Sequence, residues 1–255
     1  MKKLFLLFLF ITTVAFSQNR KKAFQSGEFL KYKISYGLLS AGFATLQLEE
    51  TKKDNLDLFH IKGRGWSTGV VNVFFPVEDD YQSYFDKETI QPAHFIRKIR
   101  EGGYTKNKEI FFDFDQQKAR VVDHKNGKKN TFSIDSNAFD MLSALYYFRD
   151  LDFTSLREGE IITVGLFYDD RMNLVELQYV GKEIIKTKFG KIKTIVFKPL
   201  VEEGRVFSDK ESVLVWFTDD TAKIPVRIKA AILVGSVKFE LQEVKNITGR
   251  LPLVF

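Results

Sequence analysis

One stretch of this chain beyond its opening residues repeats apolar side chains at helical spacing. It is segment 136–152, SNAFDMLSALYYFRDLD, with Phe139, Leu142, Leu145 and Tyr146 on one side and Arg149 near its end. Ser136 or Asn137 is placed to cap its start. Elsewhere the period is two. Leu30, Tyr32, Ile34 and Tyr36 alternate with Lys31, Lys33 and Ser35, which gives a strand one apolar and one wet face. Further strands are predicted over 43–49, 56–62, 80–86, 93–101, 106–115 and 119–124. After the helix they resume over 160–168, 174–180, 183–188, 191–198 and 212–218, with two more beyond Pro225 around Gly235. Asn126-Gly127 predicts a tight hairpin, and Gly181 and Gly190 predict turns. Residues 63–80 lack a clean period. There Gly63, Gly65, Gly69 and Pro76 sit among Trp66, Val70, Val71, Val73, Phe74 and Phe75, a pattern for a short helix or a lid.

This pattern predicts a mostly β fold: a curled antiparallel sheet, either a half-barrel or a two-sheet sandwich, packed around one amphipathic helix. No Pro/Ser/Gly-rich linker or charge block divides the chain. Residues 18–255 are expected to form a single β-rich domain, or two similar-sized β halves joined by the 136–152 helix.

The first seventeen residues read as an export signal. Lys2 and Lys3 precede an apolar run over 4–16, and Ala15-Phe16-Ser17 sets small residues at a cleavage site, so Gln18 is the expected first mature residue. The run is short for a transmembrane helix. The expected location is the periplasm, with the product free or associated with the outer membrane. An integral β-barrel is disfavoured because Lys223, Arg227, Lys229 and Lys238 stud the closing strands.

The chain has no Cys, which removes thiol nucleophiles, thiolate metal sites and acylation of the kind that anchors bacterial lipoproteins. Without Lys2 and Lys3, 37 basic and 33 acidic residues remain. That excess is too small for a nucleic-acid footprint, although it favours approach to anionic surfaces.

Several pieces, in order, resemble domain-of-unknown-function family 3108, a family of exported bacterial envelope proteins. They are Gly27-Glu28-Phe29-Leu30-Lys31-Tyr32, Ser35-Tyr36-Gly37 and Ala41-Gly42-Phe43-Ala44 near the start. In the middle stands Asp140-Met141-Leu142-Ser143-Ala144-Leu145-Tyr146-Tyr147-Phe148-Arg149. Near the end come Val215-Trp216-Phe217-Thr218-Asp219-Asp220, Ile224-Pro225-Val226 and Val234-Gly235-Ser236-Val237. The resemblance implies a mostly β fold, a periplasmic or envelope location and no established activity, and it supplies no catalytic residues. Phe148 departs from the family pattern, which has a smaller or apolar residue before the Arg.

The residues name no chemistry. His60, His94 and His124 are far apart in sequence and show no metal-binding spacing, so no metal and no cofactor is expected. GxSxG is absent, and Gly235-Ser236 lies in a strand-like run. Asp113/Asp115, Asp169-Asp170 and Asp219-Asp220 fit turns better than a carboxylate hydrolase. The suggestive feature is aromatic: 22 of the 26 Phe lie outside the leader. Those rings either fill a wide sheet or line a hollow for an acyl chain. Candidate pocket residues are Trp66, Val70, Val73, Phe74 and Phe75 at a mouth, with Arg64 and Arg149 for an anionic headgroup, and Leu142, Tyr146 and Trp216. The expected function is a non-catalytic envelope protein that binds lipid or another hydrophobic or amphipathic component. The alternatives are a structural module docking on an outer-membrane or secretion complex, and a carboxylate-based hydrolase.

Overall fold

A computed structural model describes residues 22–53, 55–200, 213–231 and 236–255. The leader, 1–17, and the pair Val234-Gly235 lie outside them. Period-two alternation yields strands almost throughout. Before the main helix come β1 (Phe29–Tyr36), β2 (Leu39–Lys53), β3 (Leu56–Ser67), the short helix α1 (Gly69–Phe74), β4 (Glu78–Asp86), β5 (Pro92–Glu101), β6 (Tyr104–Asp113), β7 (Lys118–Asp123), β8 (Lys128–Ser133) and β9 (Ala138–Phe139). The helix α2 (Met141–Asp150) is followed by β10 (Ile161–Tyr168), β11 (Arg171–Thr187), β12 (Gly190–Leu200), β13 (Val213–Thr218), β14 (Pro225–Ala231), β15 (Ser236–Lys245) and β16 (Leu253–Val254).

The expected half-barrel or two-sheet sandwich is not what forms. All sixteen strands belong to one hydrogen-bonded sheet, running from β8 at one end to β9 at the other, with β16 attached to β12. Among the described residues the ends β8 and β9 do not pair, so the sheet is not closed, and no strand belongs to a second sheet. The physical reason is simple. Alternation states which face of a strand is apolar; it does not state how many sheets the strands share. β1 joins the two arms, pairing with β2 on one side (Tyr32 opposite Ala44) and β15 on the other (Tyr32 opposite Leu241).

Two local expectations also change. The helix starts at Met141, five residues later than predicted, because Ala138 and Phe139 are used in a parallel pairing with Gly165 and Leu166. Asp140, not Ser136 or Asn137, is the cap. Its carboxylate accepts from the Leu142 and Ser143 amides at 2.8 and 3.0 Å, while the Ser143 hydroxyl accepts from the Asp140 amide at 2.9 Å, a reciprocal capping box. Gly181 is a bulge inside the single long strand β11, not a turn between two strands. The register slips between Tyr179 and Gly181, and Gly181 has φ +135, which a side chain would strain.

The helix is enclosed nearly all round, and only Met141 among its residues is exposed. It touches β4 in one arm of the sheet and the neighbouring strands β9 and β10 at the far end of the other. Gly63 makes room for it: a Cβ there would meet Leu142 at 3.5 Å and Leu46 at 3.3 Å. Aromatic rings fill both flanks. Phe24 packs edge-on against Tyr146, Phe59 and Phe85, with centroids 4.8–6.3 Å apart. Phe148 sits 4.9 Å from Phe153 and Phe197 and 5.1 Å from Phe217. The large ring at the departing family position thus has a matching aromatic nest. Among the described residues no helix is long and apolar enough to cross a membrane.

Candidate functional site

The helix that organises the core carries a charge inside it. Arg149 and Glu28 are both fully buried. Arg149 Nη1 and Nη2 donate to the two Glu28 oxygens at 2.7 Å each, and Tyr146 Oη donates to Glu28 Oε1 at 2.8 Å. The guanidinium also donates to the Ala222 and Ala23 carbonyls. Burial disfavours this charge, but Glu28 together with Tyr146 and Tyr32 outweighs it, and the Arg149 pKa is raised above its ordinary value. Tyr146 and Arg149 were expected at a ligand pocket. The structure places both in this internal lock, with the guanidinium paired to Glu28.

Two adjoining clefts flank the N-terminal end of the helix. The first, about 430 Å³, lies between β2, β3, β4 and Leu142, with Val71 and Val77 at its rim. Glycine shapes it: Gly42, Gly63 and Gly65 line it and fill none of it. The second, about 410 Å³, is walled by Leu145, Phe148, Val164, Leu177 and Phe217 among others, all apolar but for Tyr32. Ala44, Leu46, Met141 and Phe239 border both clefts. Each volume falls in the range of small-molecule sites.

The sequence-predicted pocket residues scatter around this region. Leu142 lines the first cleft. Arg64 and Trp66 border it too, but along β3 they alternate with Gly63 and Gly65, so their side chains lie on the other face of the strand. There the Trp66 ring packs 6.1 Å from Phe43, and Arg64 meets Asp80 at 3.5 Å. Val70, Val73, Phe74 and Phe75 are exposed on and just after α1, with Phe74 showing 82% of its surface. The helix packs against β2, and the Thr68 amide before it donates to the Ala41 carbonyl in the wall of the first cleft. Trp216 is buried in a separate cluster with Leu30, Ile192 and Leu241, and its Nε1 donates to the Glu183 carboxylate. It lines neither cleft.

Sequence reasoning missed Asp79, Glu101 and Glu28. Asp79 and Glu101 are the carboxylates of the first cleft. Asp79 sits opposite Gly65, on the face of the cleft, and burial, with help from Glu101, pushes its pKa up to about 6. Their only sequence signal is position: acids on the apolar-facing register of otherwise alternating strands. Glu28 carried a similar signal, a lone acid at the threshold of an apolar strand.

The other titratable groups are held in the framework. His60, Tyr84, His94 and Phe111 stack across β3 to β6 with centroids 3.9, 5.6 and 4.3 Å apart. His94 and His124 share the Glu109 carboxylate at 2.9 and 3.0 Å. The three imidazoles thus share one region of sheet. Among the described residues, no group of three His, Cys, Asp or Glu is arranged to hold a metal ion. Asp113 caps the turn before Gln116. Asp169 accepts from Lys106 and Arg97, Asp219 from Lys182, and Asp220 from Thr218 and the Lys223 amide.

A mostly β protein with one open sheet, a buried helix and two apolar clefts is the class these observations define. Over residues 31–242 the chain matches DUF3108, a protein family of unknown function, and it belongs to that family. Among solved structures it is similar to a β-barrel-like protein of domain of unknown function DUF1849 from Brucella abortus, at 8% identity and TM-score 0.59, covering 87% of this chain and 98% of that one. It is also similar to a DUF1089 family protein from Pseudomonas aeruginosa, at 11% identity and TM-score 0.41, covering 75% and 90%. The first likeness supports the fold. No curated protein matches the chain.

Proposed function

We propose that this is a non-catalytic envelope protein that binds an apolar chain, such as the acyl chain of a lipid, in the two clefts beside α2. The observation that carries this reading is the adjoining pair of clefts, joined at Ala44, Leu46, Met141 and Phe239 and almost free of polar side chains on the α2 side. Hydrophobic transfer at about 25 cal/mol per Å² of buried apolar surface is enough to hold such a chain. The leader over 1–17 supports export to the envelope, where such chains are plentiful.

The exposed residues of α1 favour a second role for the same end of the molecule. Val70, Val73 and Phe74 stand in solvent beside the rim residue Val71, where a chain leaving a membrane or a partner protein would be met.

Native mass spectrometry of the purified protein, with binding of a pyrene-labelled alkyl chain, tests the proposal. Copurified lipid or saturable probe binding is expected, and Ala44→Phe, which places a ring where the clefts meet, abolishes it while the fold survives. A wild-type protein that neither carries lipid nor binds the probe sinks the reading.

A further inference from the structure

Resting on the reading that the clefts hold an apolar chain, we propose that the ligand bears a cationic ammonium end, seated in the first cleft against Asp79 and Glu101, with its tail running past Met141 into the second.

The argument is charge complementarity inside an apolar wall. Three charged residues border the first cleft: Arg64, Asp79 and Glu101. Strand alternation turns Arg64 to the far face of β3, where its guanidinium lies 3.5 Å from Asp80. Asp79 and Glu101 face inward. Asp79 lies opposite Gly65, whose absent side chain leaves the carboxylate open to the cavity, and Glu101 pairs across from Val77 at the rim. The Asp79 carboxylate receives the Arg100 amide at 3.2 Å, which leaves acceptor capacity unused. Tyr81, two residues along the same strand face, lines the cleft, and its ring already has the Arg97 guanidinium 5.9 Å from its centroid. A carboxylate headgroup would face two like charges here. Of the other cations nearby, Arg149 is consumed by Glu28, and Arg97, which stands opposite Tyr81 on the neighbouring strand, is held by the Asp169 carboxylate at 3.1 Å.

The whole chain makes the test stringent. Its net charge of +6 attracts anions in general, so any preference for a cation must come from the local carboxylates. An alkylamine and a zwitterionic lipid headgroup both present the required ammonium.

The experiment is isothermal titration of the purified protein at about pH 8, above the raised pKa of Asp79, with dodecyltrimethylammonium, dodecylphosphocholine and laurate, all below their micellar concentrations. Dodecyltrimethylammonium is expected to bind at least about tenfold tighter than laurate. Asp79→Asn with Glu101→Gln is expected to erase that ratio and leave laurate binding intact or improved. Phosphocholine binding at the ammonium level assigns the site to a zwitterionic headgroup, and binding at the laurate level assigns it to a cation with no phosphate beside it. Laurate binding as tightly as the ammonium in the wild-type protein overturns the headgroup inference and leaves the apolar-chain reading standing. If none of the three binds, both fall.

Discussion

Arg149 on α2 and Glu28 ahead of β1 grip each other through two parallel 2.7 Å contacts, with neither side chain reaching solvent. Two desolvated charges contribute little net stability as a pair, but either one alone is costly. Arg149→Met leaves Glu28 buried and unpaired, so a loss of about 3–5 kcal/mol is expected in urea unfolding. Glu28→Gln should lose a similar amount. Combining Glu28→Gln with Arg149→Met should recover part of the loss, and strictly additive losses would refute the coupling.

Asp140 gives the helix start a pH dependence. Burial pushes its pKa up to about 6, against the hydrogen bonds from Ser83, Ser143 and Leu142. Its ordinary value is 3.8, so between about pH 4 and pH 6 the folded state holds more protons than the unfolded one. Stability from this group therefore falls as pH rises through that window. Asn keeps an oxygen for the amides and cannot ionise, so Asp140→Asn should flatten this part of the profile. Asp140→Ala should cost about 1 kcal/mol or more at any pH through loss of the cap.

The stacked imidazoles work in the opposite direction. Burial, then Lys53 at 2.6 Å, holds His94 below its ordinary pKa against the pull of Glu109, and burial does the same for His60. A group depressed in the folded state adds stability above its unfolded pKa and loses it as pH falls. Proton NMR titration should show His94 and His60 remaining neutral at a pH where free imidazole is half protonated. Titration of either at or above the ordinary value would contradict the packing described.

Phe148 anchors the rear of the helix against three rings. Phe148→Ala should cost about 3–5 kcal/mol, because the surrounding rings belong to β12, β13 and the 153 region and cannot all close the gap. A loss below about 1 kcal/mol would show that the nest collapses freely.

The α1 side chains predict a contrast. Replacing Val70, Val73 and Phe74 together with Ser should shift stability by no more than about 0.5 kcal/mol per site, since all three stand in solvent. Vesicle flotation should nevertheless fall if this end meets a membrane. Unchanged flotation would remove that role from α1.

Much of the strand content was legible because alternation is written residue by residue: β1, β5, β7 and β10 lie close to where their patterns predict. Closure was not legible. It depends on pairing between residues far apart in sequence, as when β1 meets β15, and no local period encodes a partner. The helix was found by its spacing, but its start was misplaced because Ala138 and Phe139 serve a strand as readily as a helix. The pocket was half visible. Leu142 shows on the apolar face of the helix, yet the cavity owes its room to Gly63 and Gly65, and absent side chains leave no hydrophobic signal. Arg149 reads from the sequence as a cation for an anionic headgroup, because its carboxylate partner Glu28 lies 121 residues away and no local pattern links the two.

A sheet with two loose ends risks recruiting neighbours. One margin, β8, displays Lys128 and Lys129 to water, so a second molecule adding itself there would bring like charges together. The opposite margin, β9, is two residues long and pairs only with Gly165 and Leu166 of the eight-residue β10. The unfastened ribbon is thus fenced by charge along one border, and along the other its backbone groups past the short β9 stay open to a newcomer.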